Sequence, residues 1–282
     1  MRLSQICIAI AQLGRGGAWS PLSLWPDGIA TPGMWISPRD LTSEWADYTG
    51  TTPVVTPGTV ADSSNPVGLA LDIRAGATVL TDPGNHMLQS TSAARPLLSA
   101  YDGQTLGPGD TYSSTGYPIF QKYDGVDDGM ATAAFSAGTL INGMDCMIAV
   151  RRDSAAACVA GLYNGIADAT KFFGMAESAS GSGCVGSGAG TPTVWVDNAQ
   201  LTGGTAVTRG TLHTALTVGD YHILEFRGLD LSTWTAAGFG LYTSYVFPGA
   251  RGDILLYPST ASTEDKDAAR QWLADYYGVT LA

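Results

Sequence analysis

The stretch YPIFQKYDGVDDGMATAAF, Tyr117 to Phe135, carries two apolar runs on either side of an acidic, glycine-bearing turn. Side chains alternate across a strand with period two, so Ile119, Gln121 and Tyr123 share one face and Phe120 and Lys122 the other. Asp124-Gly125 is a strong short turn signal. Asp127-Asp128-Gly129 adds a second tight point, because aspartate carboxylates bond nearby backbone N–H groups. The spacing predicts a β-hairpin.

Working outward, β-like runs recur downstream at Asp145 to Arg151, Cys158 to Tyr163, Lys171 to Ala176, Thr193 to Val196, Tyr221 to Arg227, Ala237 to Tyr242 and Gly252 to Tyr257. Turn residues separate most of them, the pattern of an antiparallel sandwich. Upstream, residues 33 to 96 read as irregular lead-in wrapped on a sheet. One helix is expected, at the C-terminus: Ser262 or Thr263 caps it, Glu264 and Asp265 suit its positive end, and Gly278 stops it. Ala269, Trp272, Leu273 and Tyr276 form the stripe that packs it on the body.

The 282 residues suit one large β domain plus an appendage. Gly (36) and Pro (14) stay below the level of a disordered chain, and 45% apolar residues support a core. With 14 basic against 25 acidic residues the net charge is −11, which repels nucleic-acid phosphates. Cys7, Cys146, Cys158 and Cys184 lack C-x-x-C spacing and read as small buried hydrophobes, with Cys146–Cys158 the one pair placed for a disulfide. The apolar run Ile6 to Ala11 is short for a secretion signal, and no stretch is long enough for a membrane span. Residues 1 to 32 read as an arm that docks on something else, through Leu3, Ile6, Ile8, Ile10, Leu13 and Trp19.

The runs GMWISPRDLTSEWADYTGTTPV (Gly33 to Val54) and NHMLQSTSAARP (Asn85 to Pro96), the YDGVDDGM turn and the closing GDILLYPSTASTEDKDAARQWLADYYGV resemble the concanavalin A-like, laminin-G-like domains of tailed-bacteriophage virion proteins. The resemblance covers about 250 residues. It implies an all-β fold: a concanavalin A-like jelly-roll β-sandwich over residues 33–282, with one C-terminal α-helix and an extended N-terminal arm, 1–32. The sequence departs from the family where Asp72-Ile73-Arg74-Ala75-Gly76-Ala77 replaces an aspartate and a short glycine-asparagine turn.

Several motifs have simpler readings. Gly181 to Gly186 satisfies G-x-G-x-x-G, yet Ser-Gly-Ala-Gly-Thr-Pro follows where a phosphate-binding helix is required. Arg251-Gly252-Asp253 enters a strand. Asp124, Asp127, Asp128 and Asp230 fit no calcium loop and read as turn formers, so no metal is expected. Glu44, Glu177, Glu225 and Glu264 lie far apart, no nucleophile motif is present, and His86, His213 and His222 stand alone, so no catalytic residue or cofactor is expected. Aromatic rings beside polar groups suit sugars. Trp195, Asp197, Asn198, Tyr163 and Asn164 are the glycan-binding candidates, with Trp234 and Tyr242 as further flat faces.

The resemblance thus implies a non-enzymatic phage structural protein, assembled in the host cytoplasm and attached to tail or baseplate by its arm. Its partners would be other virion proteins, host-surface polysaccharide and further copies of itself. Capsid decoration is one alternative and glycan hydrolysis another.

Overall fold

The computed structural model describes residues 19–54, 65–100, 118–135, 139–164, 168–202 and 206–282. An eight-stranded sheet forms its centre. Seven strands lie in the spatial order Ala199–Gln200, Thr193–Val196, Tyr221–Asp230, Asn142–Arg152, Pro248–Pro258, Ile119–Asp124 and Leu97–Ala100. A register shift between Arg251 and Ile254 lets the long strand change neighbours. Its first part pairs with Ile119–Asp124, and Ile254 to Leu256 pair with the eighth strand, Met34–Ile36. Every pairing between these strands is antiparallel. A second sheet runs Gly238–Phe239, Met130–Thr132, Met87–Leu88, Leu69–Ala70, Glu44–Trp45.

Period-two alternation explains why the central strands are apolar on both faces. Met144, Cys146, Ile148 and Val150 share one core with Ala70, Met87, Met130 and Phe239 of the smaller sheet. Met147 and Ala149 turn the other way, into a second core with Trp25, Trp35, Leu273 and Tyr277. The architecture is therefore a β-sandwich whose outer face is covered by a helix and the lead-in.

That helix, Thr263–Tyr277, is bounded by the Ser262 side chain, which accepts from Asp265 N, and by Gly278 at φ 69°. Of the stripe expected to hold it, Ala269 and Leu273 are buried in the second core, while Trp272 and Tyr276 are partly buried against it. A second α-helix, Arg209–Ala215, was not expected; its seven residues are too few for a clear apolar stripe, and the Thr208 side chain caps it by accepting from Thr211 N.

Two further expectations are corrected. The Asp124-Gly125 turn joins no hairpin: Ile119–Asp124 belongs to the large sheet and Met130–Thr132 to the small one, so the turn carries the chain between layers. Asp124 Oδ1 accepts from Val126 N at 2.7 Å and Asp128 Oδ2 from Asp124 N at 2.8 Å, which fixes a corner wider than a two-residue hairpin loop. Cys146 and Cys158 are free buried thiols, pushed up in pKa by burial.

Residues 19–32 lie on the chain's own body. Trp19 Nε1 donates to Asp265 Oδ1 at 2.9 Å and its ring meets Trp272 edge-on; Trp25 Nε1 donates to Leu256 O at 3.1 Å. The other arm positions, Leu3, Ile6, Ile8, Ile10 and Leu13, lie outside the described residues, as does Cys7.

Candidate functional site: a polar-floored cleft

The five glycan candidates separate into two groups with scaffold duties. Tyr163 is buried against Tyr242, with its hydroxyl 3.4 Å from Phe239 O. Asn164 Oδ1 accepts from Thr235 N (2.6 Å) and Ala236 N (2.8 Å), tying two loops together. Asp197 and Asn198 form the two-residue turn between Val196 and Ala199, both at positive φ (52° and 68°). Trp195 is covered by Arg227, whose guanidinium carbon lies 4.0 Å from the ring centroid. No described hydrogen bond or ring contact joins the two groups. Trp234 and Tyr242 are buried, Trp234 donating from Nε1 to Gly188 O at 2.9 Å.

The remaining motifs resolve similarly. Arg251 and Asp253 are fully buried, and a Cβ at Gly252 would fall 2.3 Å from the Tyr277 hydroxyl, so packing accounts for the tripeptide. A short 3-10 turn, Ser187–Ala189, and a strand follow the glycine-rich loop. Asp124, Asp127 and Asp128 bring ligand atoms within 4.8 Å of one another. Burial, reinforced by the neighbouring aspartates, pushes Asp128 up to about 7, and the cluster's carboxylates cap turn N–H groups. Asp230 caps Ser232 elsewhere.

A concave surface lies at the loop end of the smaller sheet. Two adjoining hollows of about 180 and 330 Å³ share Gly84, Asn85 and Thr139. Thr31 and Gly33 of the lead-in form one wall, and Leu80, Thr132 and Phe135 the other. The larger hollow is at the low end of the roughly 300–1,000 Å³ of ligand pockets.

Its floor is a buried polar network. Asp72, fully buried, accepts from Trp35 N at 3.2 Å, from Asn85 N at 2.9 Å and from Arg74 Nη2 at 2.8 Å. Arg74 Nη1 reaches Thr31 O, so its donors already have partners. His86 Nδ1 accepts from Asp72 N at 2.9 Å; the ring proton therefore sits on Nε2, which donates to Asp82 O at 2.8 Å. Asn85 Nδ2 donates to Gly33 O at 2.6 Å and closes the floor onto the lead-in. Asp72 and Arg74 thus build the cleft's base.

The cleft presents polar groups beside apolar ones over a floor whose charges are paired. That arrangement suits holding a small polar molecule. Sequence reasoning missed it because its walls come from four separated segments; the usable signal was Pro83-Gly84-Asn85-His86, a polar loop directly before a strand. Three described glutamates are occupied elsewhere: Glu44 by Gln121 (2.8 Å), Glu177 by Arg209 (3.0 Å) and Glu225 by Arg227 (2.7 Å) and Arg270 (2.9 Å). No family model, curated protein or solved structure matches the chain. No helix among the described residues is long and apolar enough to cross a membrane.

Proposed function

We propose that this chain is a non-enzymatic structural component of a tailed-phage particle, attached at the tail or baseplate, whose sandwich holds a host-surface glycan in the cleft. The viral setting follows from the family resemblance of the turn, lead-in and closing segments. The observation that carries the binding role is the cleft itself, where Asn85, Thr31 and Thr139 stand beside Phe135 and Leu80. Hydroxyl-rich rings bind through such pairings of a flat apolar face with a few fixed polar groups. Several copies on one particle would turn weak contacts into avidity. The jelly-roll connectivity expected from the resemblance belongs to this same reading.

Because Trp19, Leu24 and Trp25 pack on the body, the anchoring role falls to residues 1–18. Deleting them should abolish incorporation into particles; normal incorporation would remove the anchor. Labelling whole particles separates tail from capsid. For the cleft, Thr139→Trp should fill the rim and eliminate glycan-array binding at unchanged Tm. Unaltered binding places the glycan elsewhere, and release of new reducing ends would replace adhesion with hydrolysis.

A further inference from the structure

Away from the cleft, the side chains of Thr217, His222 and Asp197 form a contiguous hydrogen-bonded row. Asp197 occupies the tight turn at φ 52°, a strained position for a non-glycine residue. Its carboxylate is held from two sides: Oδ1 accepts from Ile223 N at 2.8 Å, and Oδ2 lies 2.6 Å from His222 Nδ1. His222 is 8% exposed. Its Nε2 accepts from the backbone N–H of Thr217 at 3.1 Å, which places the ring proton on Nδ1, facing Asp197. The same Nε2 lone pair lies 2.9 Å from Thr217 Oγ1, and Thr217 is exposed. The tautomer leaves Nε2 as the acceptor facing Thr217, shared between that residue's backbone N–H and its hydroxyl, so the base is engaged only when the hydroxyl turns from Asp220 to the ring.

We propose that Thr217 is an acyl-acceptor site, a hydroxyl activated by His222 and Asp197 toward activated acyl donors such as aryl esters. Thr217 Oγ1 attacks the carbonyl carbon as its proton passes to His222 Nε2. The bond from that carbon to the aryl oxygen breaks, the aryloxide leaves and takes up the proton, and an ester on Thr217 remains. Nothing is oxidised or reduced. Asp197 is a positioning residue, holding the imidazole and balancing its charge.

Two features set the rate. Asp220 Oδ2 lies 2.9 Å from Thr217 Oγ1, so it competes for the hydroxyl proton and opposes negative charge developing nearby. The nearby Gly219 N–H already donates to Arg152 O at 2.8 Å, which removes one candidate oxyanion donor; a single such donor is worth about 10²–10³ in rate. Slow, stoichiometric acylation is expected rather than turnover, in keeping with a structural protein.

The test incubates the full chain with p-nitrophenyl acetate and, separately, a fluorophosphonate at mildly alkaline pH, followed by peptide mass spectrometry. Thr217 should carry the label, His222→Gln should reduce labelling at least about tenfold, in line with loss of a general base, and Asp220→Ala should increase it. Thr217→Val, at an exposed position, should remove the label with no change in circular dichroism, which keeps the test readable should His222→Gln unfold. An unlabelled Thr217, or labelling at the same rate in a folded His222→Gln protein, overturns the proposal and leaves the three residues as a turn cap.

Discussion

The two faces of the large sheet are covered by different kinds of layer, and they handle buried charge differently. On the helix face, long side chains reach down to charges on the strands. Arg270 meets Glu225 at 2.9 Å, Lys266 meets Asp145 at 2.8 Å, and Arg39 meets Asp253 at 3.0 Å while stacking on Trp272 and Tyr276. Between the sheets, Glu44 and Arg251 are both fully buried, yet Glu44 Oε1 and Arg251 Nε and Nη2 have no hydrogen-bond partner among the described groups. Glu44 and Arg251 interact by charge across this interior, but these atoms gain no hydrogen bond from it. Arg39 Nη2 also lacks a described partner, so the contrast lies in the ion pairs that Lys266 and Arg270 of the helix and Arg39 of the lead-in make with the strands.

Three measurements test this contrast. The largest effect belongs to the aromatic cover of the helix face. Trp25 stacks on Trp35 at 6.1 Å and donates to Leu256 O, so Trp25→Ala should cost about 3–5 kcal/mol in denaturant unfolding. A loss below about 1 kcal/mol would mean that the lead-in is not part of the fold's core.

Next is the charge between the sheets. Burial pushes the Glu44 carboxyl from 4.5 up to about 8, with Arg251 and Gln121 pulling the other way. A carboxyl raised in the folded state contributes stability that is fully present below its unfolded value and is lost as pH rises through the folded one. Stability should therefore decline between about 4.5 and 8 from this group. Glu44→Gln should flatten that slope and stabilise the protein at neutral pH by about 1–3 kcal/mol. An unchanged pH profile would show that Arg251 holds the carboxylate ionised.

The smallest effect tests the helix end. Ser262 accepts from Asp265 N at 3.0 Å, so Ser262→Ala should cost about 1 kcal/mol, read as a modest fall in Tm. Loss of several kcal/mol would couple the cap to the Trp19–Asp265 contact beside it.

Local chemistry was the most legible part of the chain. Ser262 and Gly278 bracket the last helix because caps depend only on neighbouring backbone, and Thr193 to Val196 reads as a strand because alternation is local. Partner choice was not legible. Ile119–Asp124 and Met130–Thr132 adjoin in sequence but lie in different sheets, since the Asp124 and Asp128 carboxylates build a corner instead of a hairpin. The site was least legible: Tyr163 and Asn164 have the residue types of a sugar site and are buried, while Asn85 and Thr139 line the cleft from separate segments.

The β-rich class, the net negative charge, the capped helix and the turn-forming role of the aspartates are legible in the chain by itself, all consequences of composition and short-range bonding. Long-range pairing sets the passage of YDGVDDGM between two layers, the interior position of Arg251-Gly252-Asp253 and the place of Asp72 under a cleft. Those outcomes depend on which distant strands pair and on which face each side chain is buried, information that no local window of residues contains.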